Sequence, residues 1–236
     1  MYAAWAFLCI IGIEFRIVIL RIYKMKKLVF LFVLMFSVSM LSMAQDTKQL
    51  SDCIVTYDVI VEDSKADPQI VKAMSGALKT LYIKGSKSRS DLETNGFKQI
   101  VLFDTKTDST IILREIGNSK YISYLNGSQR KEKNKKYENV QFSNTNEKKT
   151  ILGYECKKVI AKLADGSTYS VYYAPSIIAS NNDFEYQFKS LNGFVLEYEA
   201  ESENGKTRVK YVASKITLTP VPNVKFEVPK SGYRIL

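Results

Sequence analysis

Phe194-Val195-Leu196-Glu197-Tyr198-Glu199-Ala200-Glu201, then Ser202-Glu203-Asn204-Gly205, then Lys206-Thr207-Arg208-Val209-Lys210-Tyr211-Val212-Ala213, is the stretch that decides the fold. Phe194, Leu196, Tyr198 and Ala200 alternate with Val195, Glu197, Glu199 and Glu201, and past the turn Thr207, Val209, Tyr211 and Ala213 alternate with Lys206, Arg208 and Lys210. A period of two is a strand with unlike faces, and Asn-Gly is the pair preferred by a two-residue type I′ hairpin loop. Counting outward sets Glu203 against Lys206, Glu201 against Arg208 and Glu199 against Lys210, while Ala200 meets Val209 and Tyr198 meets Tyr211 on the other face. Each charged pair contributes only about 0.3 kcal/mol, so the carboxylates fix register on a wet surface and do not form a catalytic cluster.

The same alternation recurs at 54–62, 80–83, 86–93, 97–104, 110–115, 120–125, 154–163 and 167–173, with a short last segment near Phe226. Asp165-Gly166 marks a second tight turn. One helix interrupts the pattern: Asp67 caps it, Pro68 suits its first turn, and Ile70, Met74, Ala77, Leu78 and Leu81 form a single apolar stripe. The expected fold is mainly β (α+β), a curved antiparallel sheet or half-barrel with one or two covering helices. Ile70, Met74 and Leu78 would be the inward face of a lid helix.

The chain has 236 residues, 46% of them apolar and 25% charged, with a net charge of +10. Its start reads differently from the rest. Met25-Lys26-Lys27, an apolar run from Leu28 to Leu41, and Ser42-Met43-Ala44 make the layout of a secretory signal peptide over 25–44, cleaved after Ala44. Residues 1–24 read as an N-terminal extension from a start placed too early, with a membrane anchor as the alternative; the apolar run from Tyr2 to Ile13 falls short of a span. Residues 45–236 then form one exported domain, in the periplasm or cell envelope. Much of the net positive charge leaves with Arg16, Arg21, Lys24, Lys26 and Lys27.

Histidine is absent from the chain. That removes Ser-His and Cys-His nucleophile pairs and imidazole zinc sites, and Gly-rich phosphate loops, CxxC pairs and Asp-rich calcium loops are missing too. The expectation is a non-catalytic protein without metal or cofactor. Cys53 and Cys156 remain in the exported part. A bridge between them would close a loop of about a hundred residues and stabilise by about 4 to 5 kcal/mol, while each also fits a strand as a small buried residue.

Tyr57, Phe103, Tyr172, Phe194, Leu196, Tyr198 and Tyr211 sit on the expected strands and are the candidates to line an apolar cavity in the sheet's concavity; ordinary core packing accounts for them equally well. Arg130, Lys131, Lys133, Lys135 and Lys136 form a basic run, read as a solvated loop or as a contact with anionic lipid headgroups or an acidic partner. Nucleic acid is not an expected partner, since no stacking platform or groove-reading helix accompanies the charge.

Ile151-Leu152-Gly153-Tyr154-Glu155-Cys156-Lys157-Lys158, then Val171-Tyr172-Tyr173-Ala174-Pro175 and Leu191-Asn192-Gly193-Phe194-Val195-Leu196-Glu197-Tyr198, resemble the GLPGLI-type exported envelope proteins and related unknown-function families. Leu81-Tyr82-Ile83-Lys84-Gly85 and Phe226-Glu227-Val228-Pro229-Lys230 fit the same group. Tyr172 stands where a Trp is often seen, and Leu191-Asn192-Gly193 replaces Gly-Leu-Pro. The resemblance implies the lipoprotein-carrier (LolA/LolB-like) superfamily: a half-barrel with helical cover whose members carry or sense acyl chains. It transfers no ligand residue. The expected function is binding of an acyl chain, lipid or lipoprotein anchor, with peripheral membrane contact; the alternative is an envelope protein–protein interaction module with a filled core.

Overall fold

The hairpin at 194–213 forms in the register its alternation dictates: Tyr198 lies opposite Tyr211, Glu199 opposite Lys210, Ala200 opposite Val209 and Glu201 opposite Arg208. The computed structural model describes residues 26, 47–62, 68–201 and 207–236. The expected N-terminal extension, the expected signal peptide apart from Lys26, the expected Asp67 cap and the expected Asn204-Gly205 turn with its Glu203–Lys206 pair lie outside the described residues. Thr47 to Leu236 fall within one compact unit. The ion pairs run diagonally, with Arg208 3.7 Å from Glu199 and Lys210 4.0 Å from Glu197. Strand twist offsets directly opposed long side chains and brings the diagonal neighbour within reach.

In chain order the strands are β1 (Lys48–Leu50), β2 (Asp52–Val61), β3 (Leu78–Lys84), β4 (Lys87–Thr94), β5 (Phe97–Asp104), β6 (Ser109–Ile116), β7 (Ser119–Leu125), β8 (Gln141–Ile151), β9 (Tyr154–Lys162), β10 (Thr168–Ala174), β11 (Ile177–Ala179), β12 (Phe194–Glu201), β13 (Arg208–Thr217) and β14 (Arg234–Ile235). Twelve of them make one sheet in the order β14-β7-β6-β5-β4-β3-β2-β13-β12-β10-β9-β8, antiparallel except where β14 joins β7, and β1 pairs with β11 in a separate parallel ladder. In a flat sheet the ten steps from β7 to β8 would span about 48 Å. Residues 126–140 connect them, and with α2 (Gly127–Lys133) and a 3₁₀ turn at Lys135–Tyr137 they reach only about 35 Å. The sheet therefore curls, and it stays open because its outermost strands β8 and β14 do not pair with each other.

The curl gives the sheet an inner face, carrying the hydrophobic cluster of Cys53, Val55, Tyr57, Leu81, Ile83, Leu196 and Ala213. Residues 180–193, with no strand of their own, lay Phe184 and Phe188 onto this face, where Phe184 meets Phe194 and Phe188 meets Tyr198 edge-on. The outer face of β5–β7 is covered by the C-terminal segment: Phe226, Val228 and Tyr233 pack on Ile100, Leu102, Leu113 and Ile122. Asp52 accepts from the Val221 amide, Lys84 donates to the Val221 carbonyl and Arg89 to the Lys225 carbonyl, which ties this strap down.

Two expectations are corrected, and an alternative left open by the sequence is decided. The helix, α1, runs only from Pro68 to Met74, so Leu78 is the first residue of β3, 44% exposed, and not part of a lid. Gly76, at φ +72°, is the stop signal that the apolar stripe concealed. Arg130 is buried at 9% exposure, and the basic run is α2 followed by a 3₁₀ turn instead of a solvated loop. Asn126 caps α2 from its side chain, with Gln129 closing the reciprocal bond. Cys53 and Cys156 are buried free thiols. Strands β13, β12 and β10 stand between the strands that carry them, too many for the Cα separation of under about 7 Å that a bridge needs.

Candidate functional site

Directly opposed residues of neighbouring strands share a face, so the register builds two adjacent rows across the inner side. One row is Tyr57 (β2), Lys79 (β3), Leu92 (β4) and Gln99 (β5). The other is Val59 (β2), Tyr211 (β13), Tyr198 (β12) and Val171 (β10). Lys79 thus points into an aromatic surround. Its Nζ lies 5.4, 5.1 and 5.6 Å from the ring centroids of Tyr57, Tyr198 and Tyr211, donates to the Tyr198 hydroxyl at 2.8 Å and pairs with Glu185 from the covering segment. Burial pushes the Lys79 ammonium down to about 7 and holds the Tyr57 and Tyr198 hydroxyls well above their usual range. Tyr57 donates to the Val195 carbonyl at 2.9 Å.

Beside this surround the inner face is left unfilled. A cavity of about 310 Å³ lies between α1 and the ends of β4, β5, β12 and β13. Ile70 and Met74 of α1, Leu92, Phe97, Val209 and Tyr211 supply its apolar wall, and Thr94, Gln99 and Glu201 its polar groups. Strands β5 and β12 share one cavity although β4, β3, β2 and β13 stand between them, which is the curl of the sheet seen from inside. Tyr211 is common to both features: one side stacks on Tyr198 in the surround of Lys79, and the ring also lines the cavity. The volume is at the lower end of small-molecule sites.

The candidates named from sequence are divided among six places. Tyr211, Ile70 and Met74 come together at the cavity. Tyr57 and Tyr198 surround Lys79, while Phe194 and Leu196 are core residues under the 180–193 segment. Phe103 lies under the Arg130 guanidinium, 3.7 Å from ring centroid to Cζ, and Arg130 also donates to the Asp183 carbonyl, so the pair clamps α2 to the covering segment. Tyr172 is elsewhere, beneath the Lys149 ammonium at 3.8 Å with its hydroxyl donating to Glu147 at 3.2 Å. Lys131, Lys133, Lys135 and Lys136 are exposed; Lys131 is 3.5 Å from Glu138 and Lys135 3.3 Å from Glu132. Among the described residues no group of His, Cys, Asp or Glu side chains converges as a metal site.

Lys79, Leu92, Phe97, Gln99, Val209 and Glu201 were missed. Lys79 had a signal: Ala77, Lys79, Leu81 and Ile83 are buried at period two, so the charge lies in the middle of an inward row. Leu92, Phe97 and Gln99 needed the β2–β5 register, which no turn between those strands announces by sequence as firmly as Asn204-Gly205 does; Val209 and Glu201 lie on the hairpin already read and needed the curl that brings β5 to them.

No curated protein matches this chain. A solved structure of PNGF-II in a C2 space group is similar at 16% identity and a TM-score of 0.43 over 78% of this chain, and the match spans 30% of that longer chain. The model of a domain of unknown function, DUF4412, matches residues 69–233, the stretch that holds the cavity, the C-terminal strap and, apart from Tyr57, the surround of Lys79. The chain belongs to the DUF4412 family.

Proposed function

We propose that this protein is a non-catalytic binding protein that takes the aliphatic part of an apolar or amphipathic ligand, such as an acyl chain, lipid or lipoprotein anchor, into the cavity under α1. The observation that carries this is the unfilled apolar wall of Ile70, Met74, Leu92, Phe97, Val209 and Tyr211 in an otherwise packed inner face. Close packing is the norm in protein interiors, and a hollow whose wall is mainly apolar suits an aliphatic chain as its occupant. Helix α1 has no buried residue and only seven residues, and a cover held so lightly lets a ligand in at small cost. Export to the periplasm or envelope, a relationship to lipoprotein carriers and peripheral membrane contact through Lys131, Lys133, Lys135 and Lys136 belong to this reading.

Calorimetric titration of the full chain with dodecanol tests it. Saturable uptake by the native protein and by Val71→Trp, on the exposed side of α1, with uptake lost in Met74→Trp at an unchanged melting temperature, is the expected result. Uptake undiminished in Met74→Trp, or none by the native chain, overturns the reading.

A further inference from the structure

The inner row that holds Lys79 and part of the cavity wall continues beyond the cavity: Leu92 of β4 is opposed to Gln99 of β5, Gln99 to Arg114 of β6, and Arg114 to Tyr121 of β7. Gln99 lines the cavity, so Arg114 stands one strand past that wall on the same face, while its chain neighbour Leu113 packs on the other face under the C-terminal strap. The Arg114 Nε donates to the Gln99 Oε1 at 3.0 Å, which holds the guanidinium against a side chain of the cavity lining.

Arg114 is half-buried and has no acid beside it. Arg89 pairs with Asp91, Arg130 lies 4.0 Å from Asp108 and Arg208 3.7 Å from Glu199, whereas among the described residues no carboxylate comes within ion-pair distance of Arg114. Its neighbours on the inner face, Phe97, Gln99 and Val101 on β5 and Ser119, Tyr121 and Ser123 on β7, are all uncharged, and α1 contains no acidic residue. Glu201, at the rim of the cavity, is exposed and belongs to the other face of β12, opposed to Arg208. With Nε spent on Gln99, the two Nη groups of Arg114 have no hydrogen-bond partner among the described residues, and neither is sealed from solvent. A charge drawn partly out of water ordinarily meets an opposite one, and here that acid is missing from the fold.

Resting on the binding reading above, we infer that the ligand supplies the missing acid: the cavity takes a single-chain amphiphile with a carboxylate head, the chain lying along Met74, Leu92 and Tyr211 and the carboxylate on the two Nη groups of Arg114. The bond from Nε to Gln99 fixes the plane of the guanidinium and leaves its Nη edge, whose two parallel N–H groups match the two oxygens of a carboxylate. An ammonium head would bring like charge to a half-buried cation with no acid at hand, and the repulsion grows as the chain displaces water. A neutral alcohol head gains neither the paired hydrogen bonds nor the penalty, so it falls between the two.

The experiment compares dodecanoate, dodecanol and dodecylamine, each below its micellar concentration and at neutral pH, binding to the full native chain, to Arg114→Met and to Lys157→Gln, which removes an exposed charge of β9 and so reports the general field of a basic protein. In the native chain dodecanoate is expected to bind about tenfold more tightly than dodecanol, and dodecylamine more weakly than either. Arg114→Met keeps the aliphatic stem and removes the charge, so dodecanol should bind as before while the advantage of dodecanoate disappears; in Lys157→Gln that advantage should persist. Dodecanoate binding no more tightly than dodecanol to the native chain overturns the assignment to Arg114 without needing a variant. A carboxylate preference that survives in Arg114→Met, or that falls equally in Lys157→Gln, overturns it too, and in each of these cases the binding reading stands. Failure of all three probes to bind the native chain overturns both.

Discussion

Tyr198 and Tyr211 stack with their rings 8° from parallel and their centroids 4.6 Å apart, joining the surround of Lys79 to the wall of the cavity. They are directly opposed across β12 and β13, so the contact follows from a register that the hairpin sequence already specified. The pair has two consequences. It fills the space between the buried ammonium and the hollow, and it makes one wall of the cavity continuous with the aromatic core behind it.

Tyr211→Ala removes this wall and should cost about 3 to 4 kcal/mol of stability, the range for deleting a large aromatic side chain from a packed site. Tyr211→Phe should cost less than about 1 kcal/mol, because the hydroxyl has no hydrogen-bond partner among the described residues and the ring is retained. Chemical denaturation of the two variants decides it. Equal losses would mean that the hydroxyl, and not the stacked ring, carries the contribution.

The pH dependence of stability should carry the signature of Lys79. Its folded-state value is about 7, against about 10.4 in an unfolded chain. Between those values the unfolded chain holds a proton that the folded chain has lost, so stability rises with pH across the window and is flat below it, at up to about 1.4 kcal/mol per pH unit. The chain has no histidine to blur the interval. Urea midpoints should therefore climb from about pH 7 to about pH 8.5 in the native protein and stay level in Lys79→Met; a level native profile would show that the ammonium keeps its charge in the fold.

Cys53 and Cys156 should resist thiol reagents until the chain unfolds, since burial pushes both thiols up to about 11. With the chain's third cysteine, Cys9, replaced by Ser, Ellman-type labelling should be slow in buffer and prompt in denaturant, and a reductant should leave the melting temperature where it was. A melting temperature that falls on reduction would establish a bridge.

Arg130 and its lysine neighbours should separate by mutation. Arg130→Ala removes the guanidinium over Phe103 and the donor to Asp183, and should cost about 2 kcal/mol. Replacing Lys133, Lys135 and Lys136 together by Gln should change stability by less than about 0.5 kcal/mol and weaken adsorption to anionic vesicles at low salt. Unchanged adsorption would remove membrane contact from the role of this surface.

How much was legible varies by element, for physical reasons. The β12–β13 hairpin could be read to single-residue register because the turn, the apolar face and the charged face all agreed. Strand β8 escaped notice: Gln141-Phe142-Ser143-Asn144-Thr145-Asn146-Glu147-Lys148-Lys149-Thr150-Ile151 lies at the edge of the sheet, mostly exposed, and has no apolar row to betray it. Helix α1 was read too long because Ala77, Leu78 and Leu81 satisfy a helical stripe and a strand alternation alike, and only the positive φ of Gly76 separates the two.

By itself the sequence determined the class of the fold, the pairing of its most regular hairpin, and the absence of imidazole chemistry, because these depend on residue identity and on contacts close along the chain. Tertiary structure alone decided that Lys79 and Glu185 meet beneath Tyr198, that residues 180–193 lay Phe184 and Phe188 on the inner face, and that Met74, Leu92 and Tyr211 line one hollow. Those residues lie on segments joined only when a twelve-stranded sheet curls, and the curl is set by a short connection between β7 and β8, ten strands apart in the sheet, a property of the whole chain that no local pattern encodes.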